Sequence, residues 1–258
     1  MTIFGIPMWV YSCFGITIGC IVASIIIFLI IRKCVAVDIL KKHHDLAGYI
    51  IGVFGVLYSV LLGFGLVSLE EHHGQIIALI NEEAYVINDL YRSSMVFPEK
   101  TRLEMQRKMK IYVKSVIDEE WPHMFEKLEN PVTHQKLKDV WQAFYDFKPK
   151  TEQESLWLSK CIDILNELNR ARLNRIHWEG VGFFPWLVLL IGGIILTSFL
   201  FFFGTENPRA HLVLNSLFIG YFSFTLYVVH VLSNPFLPPV SIQPKDFNFI
   251  YPSFKIDI

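Results

Sequence analysis

The sequence predicts an all-α membrane protein: four transmembrane helices in two pairs, separated by a helical extramembrane insert. Three observations carry this. First, residues 8–31, 46–69 and 181–204 contain no Asp, Glu, Lys or Arg, and residues 210–233 add only His211 and His230 to the same pattern. Each run exceeds the ~20 residues with which a helix crosses about 30 Å of hydrocarbon. Second, residues 70–180 hold 16 of the 23 Lys and Arg and 19 of the 24 Asp and Glu, so charge is segregated from the apolar runs. Third, no strand-type alternation rises above noise, and a helix satisfies its backbone hydrogen bonds alone in lipid.

The first span, 8–31, is rich in Ile and Val and ends at Arg32-Lys33; a polar link follows with Lys41, Lys42, His43 and His44. The second span, 46–69, runs into Glu70-Glu71-His72-His73. Beyond it Ile76, Ile80, Ile87 and Leu90 recur at helical spacing, so the helix is expected to continue until Phe97-Pro98. The insert, 70–180, then contains a helix after Pro98 with Leu103, Met109, Tyr112, Val113, Val116 and Ile117 on its buried side, stopped at Trp121-Pro122. Asn130-Pro131 breaks the chain again, before a short helix with Trp141, Phe144 and Tyr145 on one side. Residues 151–154, Thr-Glu-Gln-Glu, have the form of a capping box. From there Leu158, Ile162, Leu165 and Leu168 make a stripe, and the helix is expected to run through Arg170, Arg172 and Arg175 into the third span, 181–204. The fourth span, 210–233, ends at a tail, 234–258. Pro235, Pro238, Pro239 and Pro244 make that tail extended; Phe236, Leu237, Ile242, Phe247 and Phe249 give it something to dock with.

A net charge of −1 argues against a nucleic-acid partner, which needs a clustered basic surface. Cys13, Cys20, Cys34 and Cys161 have neither metal spacing nor the pattern of a secreted disulfide framework and read as structural thiols. The first apolar run is too long for a signal peptide and lacks its basic flank, so it reads as a retained span. No nucleophile elbow, zincin or P-loop motif is present, and no enzyme site can be assembled. No cofactor or metal is expected.

The second span is unusual. Gly48, Gly52, Gly55, Ser59 and Gly63 share one face at spacings that let backbones approach closely in a bilayer. Val56, Val60, Phe64 and Val67 make a bulkier stripe beside it. If several copies surround an axis, the small face packs on neighbours and the bulky stripe forms an apolar constriction that gates by dewetting. The same glycine pattern also serves plain helix packing within one subunit. Glu70, Glu71, His72 and His73 would sit at the mouth of such a constriction; as adjacent residues point about 100° apart, the two histidines suit a solvated interface or a pH response better than a metal. Glu82, Glu83, Asp89, Glu119 and Glu120 read as helix-surface acids. His211 and His230 are intramembrane histidines that either serve function or hydrogen-bond within the bundle. Arg170, Arg172 and Arg175 read as contacts to lipid headgroups, or as a vestibule that draws anions.

Residues 56–64, with Leu61-Leu62-Gly63-Phe64, resemble the neck on the second helix of bestrophin anion channels, and Asn234-Pro235-Phe236 resembles the motif after their last span. Glu83-Ala84, Asp89-Leu90-Tyr91 and Glu119-Glu120-Trp121-Pro122 are similar to stretches of the bacterial bestrophin-like family. The resemblance covers about 46–247. It implies a homopentameric channel passing small inorganic ions, anions by the family's habit, with Val56, Val60 and Phe64 as the neck. Leu237-Pro238-Pro239-Val240-Ser241 replaces the acidic run that helps those channels bind Ca²⁺, so that site is expected to be absent. Counting Lys and Arg in the short loops leans toward an insert outside the cell; the resemblance implies a bacterial inner-membrane protein with insert and termini in the cytoplasm. The competing functional expectation is a non-conducting membrane scaffold or sensor whose insert binds a protein partner.

Overall fold

The computed structural model describes residues 2–3, 6–35, 44–179, 182–201, 207–239 and 241–255. Eight α-helices follow one another among them: α1 Met8–Cys34, α2 His44–Ser93, α3 Glu99–Ser115, α4 Pro131–Tyr145, α5 Glu152–Ile176, α6 Phe183–Phe201, α7 Pro208–Leu232 and α8 Lys245–Ile250. The one addition to the all-helical expectation is a two-residue antiparallel ladder, Thr2–Ile3 with Ile6–Pro7. The basic link with Lys41, Lys42 and His43 lies outside the described residues.

The chain divides into two compact units, Met1–Glu71 with Gly180–Val240, and His72–Glu179 with Ser241–Ile258. The first holds the helices long and apolar enough to cross a membrane: α1, the early part of α2, α6 and α7. Within it α1 packs along α7: the Tyr227 hydroxyl donates to the Trp9 carbonyl at 3.0 Å, and Ile21 lies against Gly220. Tyr58, Leu62, Leu66 and Leu69 of α2 pack with Trp186 and Leu189 of α6 and Leu226, Val229 and Leu232 of α7. Two glycines permit the approach of α6. A methyl group at Gly192 would meet the Tyr58 ring at 2.7 Å, and one at Gly193 would meet the Phe222 ring at 2.2 Å.

The second unit has a helical core built from the stripe the sequence marks on α2. Ile76, Ile80, Ile87 and Leu90 are all buried, as are Met105, Met109, Tyr112 and Val113 of α3 and Leu165 and Leu168 of α5. Leu103, expected inside, is exposed, as is Tyr145. Trp121-Pro122 does not stop the chain: a π turn, Val116–Glu120, passes into a 3₁₀ helix, Trp121–Glu126. Pro122 is tolerated because a helix's first turn has no use for the missing N–H. Asn130 caps α4, accepting from the amides of Val132 and Thr133. At α5 the Thr151 hydroxyl accepts from the Glu154 amide at 3.1 Å, and the Glu154 carboxylate returns to the Lys150 amide at 2.6 Å. Contrary to expectation, α5 ends at Ile176 and does not run on into the third span.

The tail also differs from the extended segment expected. Phe247, Ile250 and Phe254 recur at three- and four-residue spacing and are buried, so the chain forms α8 and a closing 3₁₀ turn, Tyr251–Ser253, that hide them. Phe254 stacks on Tyr91 with ring centres 4.2 Å apart, and Trp121 donates to the Ile242 carbonyl at 3.0 Å. Phe249, expected to dock, is exposed.

Candidate functional site

Tyr58 turns inward: its hydroxyl donates to the Leu189 carbonyl at 3.0 Å. Val60 is two residues on, about 200° around the helix. Accordingly Val56, Val60 and Phe64 point away from α6 and α7 and are 64%, 51% and 71% exposed in the single chain. The small face beside them is equally bare: a methyl group built at Gly52, Gly55 or Gly63 would meet nothing within 4 Å. Gly48 begins this face near the start of α2, and Ser59 spends its hydroxyl on the Val56 carbonyl at 2.8 Å. Packing among the described residues therefore does not account for Gly52, Gly55 and Gly63.

Glu70 and Glu71 are exposed, while His72 and His73 are half-buried. His72 pairs through Nε2 with the Glu179 carbonyl. No group of His, Cys, Asp and Glu able to hold a metal occurs among the described residues. Asn234-Pro235-Phe236 forms a tight turn directly after α7. The Asn234 side chain donates to the His230 carbonyl at 2.8 Å, the Leu237 amide donates to the Asn234 carbonyl at 3.0 Å, and Pro235 is buried. The motif thus closes the last span and offers no carboxylate.

The feature that sequence reasoning missed is a buried charge network in the second unit. Glu83 of α2, Glu120 at the end of the π turn, and Arg172 and Arg175 of α5 are each at most 1% exposed. Arg175 donates from Nε to Glu83 at 2.6 Å and from Nη2 to Glu120 at 2.6 Å. Arg172 donates to Glu120 and to Glu129, both at 2.6 Å. Tyr112 of α3 donates to the second Glu83 oxygen at 2.7 Å. Neither arginine contacts lipid, and neither glutamate is a surface acid; only Arg170, Glu82, Asp89 and Glu119 remain exposed. Burial opposes charge on Arg175, but Glu83 and Glu120 outweigh it and hold the guanidinium firmly protonated. Burial, then the neighbouring Glu83, pushes the Tyr112 phenol well above its ordinary range. With its carboxylates saturated by fixed guanidinium donors, the network suits holding three helices together rather than acid–base work.

The outer side of the same stretch of α2 is acidic. Glu82 and Asp89 flank an exposed Tyr85 along a groove of about 440 Å³, closed on the α5 side by Ile164 and Glu167.

Four apolar spans and a charged helical unit define a multi-pass helical membrane protein. The model of the Bestrophin-like domain matches residues 18–247, and the chain belongs to that family. Crystal structures of two mutants of a bacterial bestrophin homologue from Klebsiella pneumoniae share its fold. One superposes with a TM-score of 0.66 at 13% identity, covering 92% of this chain and 98% of that one. The other has a TM-score of 0.63 at 13% identity, over 92% and 97%. No curated protein sequence matches.

Proposed function

We propose that the protein is an oligomeric, pentameric ion channel without enzymatic activity, with α2 lining the pore and Val56, Val60 and Phe64 forming its apolar neck. The observation that carries this is the pair of bare faces on α2. A stripe of bulky apolar side chains stands beside a run of glycines with nothing against them, as expected of a helix whose small face is covered by other copies and whose bulky face closes an axis. Glu70, Glu71, His72 and His73 would form the mouth. Family membership supports anions as the permeant ions, and an inner-membrane location with insert and termini in the cytoplasm.

A second reading of the ion has its own observation. The acidic groove of Glu82, Asp89 and Glu167 would favour cations if it bordered the ion path. One experiment separates these readings: current across planar bilayers in asymmetric KCl, for wild type and the Val60→Ala/Phe64→Ala double variant. Current that rises with the widened neck and reverses toward the chloride potential supports the anion channel. Reversal toward the potassium potential keeps the pore and replaces the ion. Silence from both proteins, with the oligomer intact, favours the scaffold or sensor whose insert binds a protein partner.

A further inference from the structure

The flank of α2 that lies away from its glycines carries a groove. Phe54, Leu57 and Leu61 of α2, with Val188, Ile191 and Ile195 of α6, line an apolar cleft of about 350 Å³. All six side chains are exposed in the single chain.

The helix relates this groove to the bare glycines. With about 100° per residue and Tyr58 as the inward direction, Gly52, Gly55, Ser59 and Gly63 lie about 100° to one side, and Phe54, Leu57 and Leu61 lie about 70° to the other. Val56 and Val60 stand between the two flanks, opposite Tyr58. A helix that turns this stripe to an axis therefore offers one flank to the copy on its left and the other to the copy on its right. A ring closes by one repeated contact when two different patches of the chain meet. Rotation about the axis leaves height unchanged, so patches that meet on a helix running along the axis must share a level. Residues 54–61 fall within the level of residues 52–63. Their sizes are complementary too. A methyl group at Gly52, Gly55 or Gly63 would meet nothing within 4 Å among the described residues, whereas the groove presents bulky apolar side chains, and a small helix face lets such a surface come close in a bilayer.

We propose that the small flank of α2, residues 52–63, seats in the α2–α6 groove of the next copy, as one contact repeated around the axis. This rests on the pore reading and names the surface that covers the glycines.

The test is disulfide cross-linking of the purified full chain in detergent, in a Cys20→Ser/Cys34→Ser background that removes the exposed thiols. Ser59→Cys is combined with Leu57→Cys or with Leu61→Cys. Within one chain the paired side chains point to opposite sides of the helix and cannot bridge; between copies the seat brings them together. The expected result, after addition of an oxidant, is a ladder of covalent multimers on a non-reducing gel for at least one pair, and none from any single-cysteine variant. Light scattering before oxidation reports the assembly. An oligomer of wild-type mass without covalent multimers would overturn the seat, leave the groove to lipid tails and spare the pore. A dimer from Ser59→Cys alone would overturn it as well, since two small flanks would then meet. A wild type that is monomeric would sink the seat and the pore together. If the cysteine pairs do not fold, a size exchange replaces them. Gly52→Leu/Phe54→Ala should recover wild-type mass where Gly52→Leu alone does not; a mass no larger than that of the single variant would overturn the seat.

Discussion

Replacing Arg175 by Met removes the donor that joins Glu83 to Glu120. Met keeps much of the volume, so the effect is electrostatic. Arg175 makes contacts of 2.6 Å to each glutamate and a second contact of 3.3 Å to Glu83. Glu120 retains Arg172, and Glu83 retains only the Tyr112 hydroxyl within the network. Stranding a buried charge costs about 3–5 kcal/mol, which for a chain of this size lowers the melting temperature by roughly 10 °C. If the cost is the stranded carboxylate, the double variant Glu83→Gln/Arg175→Met should be more stable than Arg175→Met alone. The glutamine amide still accepts from Tyr112 and restores the wild-type charge balance. Differential scanning fluorimetry of the detergent-solubilised protein measures both. A single variant within about 3 °C of wild type, or a double variant less stable than the single, would refute the reasoning.

Two further outcomes follow from groups in the same unit. Burial works against the charged form of Glu129, but the hydrogen bond and charge of Arg172, and then His134, outweigh it and hold the carboxyl below its ordinary range. Its contribution is therefore present above the unfolded-state value of about 4.3 and is lost as pH falls through the lower folded-state value; acid titration of stability should be shallower in Glu129→Gln than in wild type. The Cys161 thiol is fully buried, and burial pushes it up to about 11. It should stay unlabelled by maleimide at neutral pH until the protein is unfolded, and mass spectrometry of the tryptic peptides would show it.

The spans are legible because an uncharged run of 24 residues has few fates. Helix continuation into 76–90 is legible because its apolar residues keep one phase from Ile76 to Leu90. The capping of α5 is legible because Thr151 and Glu154 act locally. The charge network is not, since it depends on pairing across the fold: Glu83 and Arg175 are 92 residues apart, and Glu120 reaches Arg172 across 52. Seen one at a time, acids on charged helices read as solvated, and arginines just before a span read as headgroup contacts. Their burial phase was the available signal. Arg172 and Arg175 continue the stripe of Leu165 and Leu168 at three- and four-residue steps, and Glu83 shares the face of Ile80 and Ile87. A charged residue on an apolar stripe asks for a partner on another. The tail misled for a related reason: Pro244 caps the start of α8 and Pro252 opens the closing 3₁₀ turn, so neither breaks the face that Phe247, Ile250 and Phe254 supply.

The glycines of α2 give the proposed assembly its most direct test. Lipid tails need no glycine, and a methyl group at Gly52 would meet nothing within 4 Å among the described residues, so this position is open to a larger side chain. The fold of one chain should tolerate Gly52→Leu and even gain from it, because leucine is favoured over glycine in a helix by about 0.5–1 kcal/mol. If other copies pack on this face, the same side chain holds their backbones apart. Light scattering after size exclusion in detergent should then show Gly52→Leu falling to smaller assemblies with its helical circular dichroism unchanged. A variant that keeps wild-type mass would move the subunit contact off this face, and with it the reason for placing Val56, Val60 and Phe64 around an axis.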